Sequence, residues 1–327
     1  MSRRLLATAV TVLLLGSAAS THAQEAKNEL TGRIWYSFGQ TVWSHDASAL
    51  DPNFGNPTSE LSYEDINAPV LELEYRRNFG SRLSLRSTLG LGTISDGTLI
   101  DDDYLSADGA DNLGAMQTGA HRFSRTESDI SGDNLFYLSV EMGYGLLKPN
   151  AWHSLDFVFG YQYWREKYEA KGVKSLECTL PGTGCLPVGT EAFQDMSVIT
   201  NTLTWQSAYI GVDGNYVFNR HWSLAGRGLL VPFAGLDNED VHHLRQDLGQ
   251  DPSFAMKGVG YGVDLEVEGV YRLTSLMTLR FGYRYWLRTV ENETWRVYEA
   301  DGSTARANLN QFETVRHGPH VGLQFVF

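Results

Sequence analysis

After its first fifteen residues the chain has no run approaching the roughly 20 consecutive apolar residues that a membrane-spanning helix needs, which excludes a helical membrane protein. Basic residues are scarce. There are 26 Lys and Arg against 39 Asp and Glu, a net charge of −13. Such a balance cannot neutralise phosphates, so nucleic acid is excluded as a partner, whereas a cationic peptide or protein suits it. Cysteine is nearly absent. The two present lie close together in Cys178-Thr-Leu-Pro-Gly-Thr-Gly-Cys185, a stretch with too few ligands for a metal site. A mean hydropathy of −0.26 taken alone indicates a soluble protein. Yet aromatics reach 12% and there are 33 Gly.

Residues 1–23 read as a signal peptide. Arg3 and Arg4 precede an apolar core from Leu5 to Leu15, and the small-residue tail ends on Thr21-x-Ala23, with cleavage expected before Gln24. The apolar core is too short for a membrane anchor. Export from a bacterial cytoplasm makes a local disulfide between Cys178 and Cys185 the expected state. Residues 24–327 are expected to form one domain.

Period-two alternation dominates that domain. Phe136, Leu138, Val140, Met142 and Tyr144 alternate with polar or small residues, as do Leu279, Phe281, Tyr283, Tyr285 and Leu287. Either a soluble sandwich or a transmembrane barrel produces this pattern. The barrel is favoured because the segments run ten residues or more, where strands average about five or six. The export signal and the closing stretch Val321-Gly-Leu-Gln-Phe-Val-Phe327, which resembles the sorting signal of outer-membrane barrels, agree. The expectation is an all-β, ten-stranded antiparallel transmembrane β-barrel with long extracellular loops. Its strands would lie near 30–45, 66–78, 82–96, 133–147, 152–170, 198–217, 221–236, 256–271, 275–293 and 310–327. Tight turns are expected at 78–81, 148–150, 218–220 and 272–274. Long polar links near 46–65, 97–132, 171–197, 237–255 and 294–309 would form the extracellular rim.

The inward faces carry both signs of charge. Glu72 and Glu74 lie beside Arg82 and Arg86, and Asp264, Glu266 and Glu268 beside Arg280, Arg284 and Arg288. These side chains are expected to meet across the ladder and fill the lumen, which argues against a wide pore.

Two rim stretches could carry chemistry. In Ile100-Asp101-Asp102-Asp103-Tyr104, residues two apart share a face of extended backbone, so Asp101 pairs with Asp103 and Asp102 faces away. In Asp237-Asn238-Glu239-Asp240-Val241-His242-His243, Asp240 and His242 likewise project together, and a carboxylate beside an imidazole raises its basicity. A water held between the two pairs would suffice for hydrolysis without a covalent nucleophile. A calcium ion on Asp101 and Asp103 is the alternative use of that pair.

The chain resembles the omptins, ten-stranded outer-membrane endopeptidases, along essentially the whole mature length. Phe38-Gly39-Gln40-Thr41 resembles their first-strand glycine segment, and Leu99 to Tyr104 their Asp-x-Asp-aromatic motif. Gly160-Tyr161-Gln162 through Arg165, then Tyr168 and Gly172, resembles the fifth strand, and Tyr209-Ile210-Gly211 the sixth. Asp237-Asn238 with Asp240-Val241-His242 resembles the Asp-Asn and Asp-x-His stretch of the fourth loop. The resemblance implies an aspartic-type endopeptidase without a metal, in which Asp101, Asp103, Asp240 and His242 activate water. It implies an extracellular peptide or protein substrate and a site in which Asp237 binds that substrate. It also implies a lipopolysaccharide requirement, with Tyr161 and Arg165 as part of the lipid site, ordinary anchoring at the membrane interface being the alternative use of these two. The expected setting is a monomer in the outer membrane with its active site facing outwards.

Several departures matter. Asp237 sits one residue further from Asp240 than in omptins, and Trp43 stands where they place a specificity glutamate. Tyr163 and Thr204 replace further lipid-site residues. His243 is a second candidate base with poorer spacing. Continuing the alternation of Leu83 to Thr93 would turn Asp101 and Asp103 outwards unless a bulge lies at 95–97. The alternatives to a peptidase are a non-enzymatic adhesin or structural barrel, a narrow pore, or a lipid-modifying hydrolase.

Overall fold

Residues that alternate apolar and polar at every second position adopt extended backbone, because only a strand sends successive side chains to opposite faces. The computed structural model describes residues 28–116, 121–147, 153–180 and 184–327. Among the described residues there are twelve strands and one short helix: β1 (Asn28–Asp46), β2 (Phe54–Phe79), β3 (Leu83–Thr93), β4 (Asp96–Leu105), α1 (Ala107–Leu113), β5 (His121–Ile130), β6 (Asn134–Leu147), β7 (His153–Cys178), β8 (Glu191–Val217), β9 (Trp222–His242), β10 (Phe254–Arg272), β11 (Met277–Tyr298) and β12 (Thr304–Val326). The expected signal peptide, 1–23, and the expected turn at 148–150 lie outside the described residues. Among the described residues no helix is long and apolar enough to cross a membrane.

All twelve strands join one sheet in the order β1-β12-β11-β10-β9-β8-β7-β5-β4-β2-β3-β6, which closes through further β1–β2 and β7–β6 pairings. A hydrogen-bonded ring runs through ten of them, and β4 with β5 bridges β2 to β7 beside it. The expected ten-stranded barrel with long loops is therefore corrected to a twelve-stranded antiparallel sheet. The stretch 97–132, expected as loop, holds β4, α1 and β5. These strands escaped detection because the inward face of β4 carries carboxylates at alternate positions, so no apolar alternation marks it.

The break between β3 and β4 also decides which way the acidic run faces. Leu89 and Leu91 on β3 point outwards, 36% and 54% exposed, whereas Leu99 on β4 is 1% exposed and faces inwards. Ile94 and Ser95 lie between the two strands, and the Ser95 N–H bonds to the Asn67 carbonyl at 2.8 Å. The β2–β4 register slips between Glu64 and Asn67, where Asp65 takes a left-handed φ of 51°. The alternation reverses at this break, so Asp101 and Asp103 share the inward face of Leu99. Gly97 makes the close approach possible, since a Cβ there would lie 2.4 Å from Ile66 Cδ1 and 3.1 Å from the Glu64 carbonyl oxygen. Gly97→Val is expected to cost about 1–3 kcal/mol, as overpacked sites do. The loss would be read by urea unfolding in lipid vesicles, and an unchanged midpoint would show that the approach relaxes freely.

The outer wall of the ring is apolar. Ile34, Leu71, Leu91, Val140, Phe159, Ile210, Leu230, Leu265, Phe281 and Val321, one on each strand of the ring, are each 40–65% exposed. Burying a side chain of this size is worth about 1.5–3 kcal/mol. A continuous belt of them belongs in lipid, as on outer-membrane barrels.

The lumen is filled. Trp286 packs against Trp35 at 4.9 Å, Tyr137 at 5.0 Å and Trp164 at 5.5 Å between ring centroids, and Arg284 lies over Trp35 and Trp286. Towards the tight-turn end Arg33 pairs with Glu72 at 2.6 Å and Glu74 at 3.0 Å. Towards the opposite end Arg288 pairs with Asp264 and Arg316 with Glu166, both at 2.5 Å. Arg82, expected in this network, instead donates to the Tyr144 hydroxyl at 3.0 Å and lies over its ring.

Candidate functional site

Four strands bring the rim residues together above the apolar belt. β4 supplies Asp101 and Asp103, and β9 supplies Asp240 and His242, from the far side of the sequence. Ser59 of β2 donates to Asp101 Oδ1 at 3.3 Å. Asn201 of β8 donates to Asp240 Oδ2 at 3.1 Å, and the Tyr63 hydroxyl of β2 reaches the same oxygen at 3.4 Å. Tyr63 pairs along the backbone with Leu99, next to the acidic run, so its ring spans from the Asp101 wall to the Asp240 wall.

Within the second pair, His242 Nε2 lies 3.4 Å from Asp240 Oδ1. Among the described residues neither atom finds a hydrogen-bond partner, although both are buried. The Asp240 side chain is wholly covered, and that of His242 is 15% exposed. The imidazole meets Phe254 edge-on at 4.8 Å, Phe254 meets Trp295 at 4.9 Å, and Trp295 stacks on His45 at 4.1 Å. The backbone N–H of His242 donates to Ser253 Oγ at 3.0 Å.

Burial sets the proton affinities. It pushes Asp240 up to about 7, against the hydrogen bonds from Asn201 and Tyr63. It pushes Asp103 up to about 6. Asp101 is raised well above the carboxylate range by burial, then by the charges of Asp103 and Asp240. Burial, with Arg245 nearby, takes His242 down to about 3, and His45 falls to about 4, mainly through burial. A buried site disfavours charge of either sign, so carboxylates hold their protons and imidazoles lose theirs.

Other residues singled out in the sequence lie elsewhere. Asp102 faces the outer wall, 3.5 Å from Arg122 and 3.6 Å from Arg125. Asp237, three residues from Asp240, falls on the opposite face and pairs with Lys257 at 2.9 Å, so it forms no pocket with the mouth group. His243 also faces outwards, its Nε2 2.9 Å from Thr200 Oγ1. Tyr161 is on the outer wall with its hydroxyl on Gln206 Oε1 at 2.9 Å, and Arg165 follows on the same face of β7. Cys178 and Cys185 form a disulfide at the top of β7. Trp43, 1% exposed, lines the mouth beside His45. His45, Tyr63, Asn201 and Ser59 were not foreseen. Only His45 carried a usable signal, being in phase with Trp43 on β1. A separate group able to hold a cation, Glu266, Glu268 and His320, lies in the lumen.

The family model described as Pom, Protochlamydia outer membrane protein, matches residues 36–327. Comparison with curated proteins finds no match. Among solved structures, the outer membrane protease OmpT from Escherichia coli aligns with a TM-score of 0.77 at 12% identity, over 94% of this chain and 99% of that one. The translocator domain of autotransporter NalP from Neisseria meningitidis gives 0.34 at 9% identity, over 98% and 94%. A Pseudomonas aeruginosa FadL homologue gives 0.29 at 10%, over 92% and 90%. At 12% identity the similarity to the protease is one of fold.

Proposed function

Because the chain belongs to the Pom family of Protochlamydia outer membrane proteins, and the omptin assignment read from its motifs is thereby corrected, we propose that it is a non-enzymatic outer-membrane barrel protein that acts through its extracellular end. It is an outer-membrane protein of barrel-like architecture, consistent with the apolar belt and the family. The observation that carries the non-enzymatic reading is the state of the mouth. Asp240 is wholly covered, and at 3.4 Å it makes no hydrogen bond with His242. An imidazole whose proton affinity burial lowers, with no hydrogen bond from Asp240 to orient it, is poorly set up as a general base. The aromatic layer at Trp286 likewise argues against conduction. What remains is display. The strands of β7 and β8 continue beyond the belt, and around their disulfide-closed tip Met116, Leu186 and Val188 are 75%, 37% and 64% exposed. With a net charge of −13, the favoured partner is a cationic protein surface, met in an adhesive or structural role.

A second reading is supported by its own observations: His242 lies 3.4 Å from Asp240, Tyr63 of β2 reaches Asp240, and the charge of Asp240 acts on Asp101. In a hydrolase His242 would take a proton from water, Asp240 would orient it, and Asp101 and Asp103 would hold the water as it attacked a peptide carbonyl. One experiment separates the readings. The protein is refolded with lipopolysaccharide and given a fluorogenic cationic peptide. Retention without cleavage is expected. Cleavage that disappears in His242→Ala and Asp101→Ala, both still folded, would overturn the non-enzymatic reading. Stepwise conductance in planar bilayers would establish a narrow pore instead.

A further inference from the structure

The lumen holds a second cluster that neither reading of the mouth uses. Glu266 and Glu268 project inwards from β10, and His320 from β12. The strand between them is β11, where Gly282 pairs with Glu268 on one side and with His320 on the other. Having no side chain, Gly282 lets the two meet over it. A Cβ at that position would lie 2.9 Å from Glu268 Cγ.

The three side chains present their free atoms to one another. His320 Nε2 lies 3.5 Å from Glu266 Oε1, and Nδ1 lies 3.9 Å from Glu268 Oε1. One donor atom from each residue falls within 4.8 Å of the others. Ligands at about 2.0–2.2 Å from a metal are separated by roughly 3–4.2 Å, so a small contraction would complete the set. Each carboxylate uses its other oxygen on an arginine, Glu266 on Arg284 at 2.9 Å and Glu268 on Arg280. Arg33 Nε stands 3.6 Å from Glu268 Oε1 but makes no hydrogen bond there.

Two independent observations point to a cation-binding group. His320 is 4% exposed, yet among the described residues neither ring nitrogen has a hydrogen-bond partner, and nor does Glu268 Oε1. Native interiors rarely leave such atoms unsatisfied. The contiguous ion-pair network around the cluster joins six carboxylates to only five arginines among the described residues. The network as a whole thus carries one negative charge in excess, and His320 lies against two of its carboxylates. Glu266 and Glu268 also line a polar cavity of about 580 Å³ that reaches the turn-end residues Asn219, Arg220 and Ser275. A hydrated ion can therefore enter from that end and keep water ligands.

We propose that Glu266, Glu268 and His320 bind one divalent transition-metal cation, with Zn²⁺ as the representative ion, inside the lumen. One imidazole and two carboxylates suit a borderline cation, which takes nitrogen and oxygen together. The ion would tie β10 to β12 across β11.

The full chain, refolded in detergent and stripped with chelator, is titrated with Zn²⁺ and then Co²⁺. One tightly held equivalent is expected, with a Co²⁺ absorption spectrum of nitrogen and oxygen ligation. His320→Ala and the milder His320→Gln are expected to lower affinity at least tenfold, and His242→Ala to leave it unchanged. Heat-modifiable migration on gels verifies that each variant is folded. A folded wild-type chain that binds no stoichiometric metal would overturn the site. So would unchanged affinity in the His320 variants, or a ¹⁵N histidine spectrum in which His320 stays doubly protonated with Zn²⁺ present. In that last case an imidazolium, not a metal, balances the network.

Discussion

Arg316→Met is expected to destabilise the protein by about 3–5 kcal/mol, the cost of breaking a buried ion pair from one side. Arg316 grips Glu166 through two bonds, Nε to Oε1 at 2.8 Å and Nη2 to Oε2 at 2.5 Å, and both side chains are fully buried. Its Nη1 also donates to the Ile66 carbonyl at 2.8 Å. Trp164 Nε1 donates to Glu166 at 2.8 Å, and the Tyr168 hydroxyl donates to the other oxygen. Removing the guanidinium would strand a carboxylate and a carbonyl among aromatic rings. Removing both charges, in Glu166→Gln with Arg316→Met, is expected to recover most of the loss, because replacing a whole buried pair is often close to neutral. A double-mutant cycle by urea unfolding in lipid vesicles measures the coupling. A single-variant loss below about 1 kcal/mol, in the range of exposed pairs, would mean that water reaches the pair.

That pair also shows what sequence reading could and could not reach. Phe38-Gly39-Gln40-Thr41 stood out as a glycine segment, but its purpose lay 277 positions away in the chain. A Cβ at Gly39 would sit 2.5 Å from Arg316, so the glycine exists to let the arginine cross. Pairings of this kind are set by strand order, which alternation does not encode. Alternation did reveal the wall of the ring, because lipid on one side and packed lumen on the other impose a strict two-residue period on segments such as Phe136 to Tyr144. It failed above the belt. There both faces of β4 carry polar side chains, Asp101 and Asp103 inwards and Asp102 outwards, and the chain looked like a loop. The parity of the acidic run could not be settled from the sequence, because it turns on the break at Ile94 and Ser95. Asp237 was misplaced for a simpler reason: three residues from Asp240 is an odd step, and in a strand an odd step changes face.

At the mouth, Asp240→Asn is expected to stabilise the protein at pH 8 and to change little at pH 4. Asp240 has its affinity raised from the ordinary carboxylate value to about 7 by burial. A group raised in the folded state contributes stability that is fully present below its unfolded value, near 4, and is lost as pH rises through about 7. Asp103, raised to about 6, acts in the same direction over a narrower window, and Asp101 adds to it. His242 works the other way. Lowered to about 3, it contributes stability present above its unfolded value, near 6.5, and lost as pH falls. Above pH 7 the histidine term is complete, and what remains is the cost of burying carboxylates as anions. An asparagine can still accept the bonds from Asn201 and Tyr63 without that charge. At about 1.4 kcal/mol per pKa unit, the gain at pH 8 is at most about 4 kcal/mol. Urea midpoints of the two proteins at pH 4 and pH 8 measure it. Curves that stay superimposed at both pH values would show that Asp240 is hydrated in the folded protein. The mouth would then be open to the water that hydrolysis requires, and the non-enzymatic reading would lose the observation it rests on.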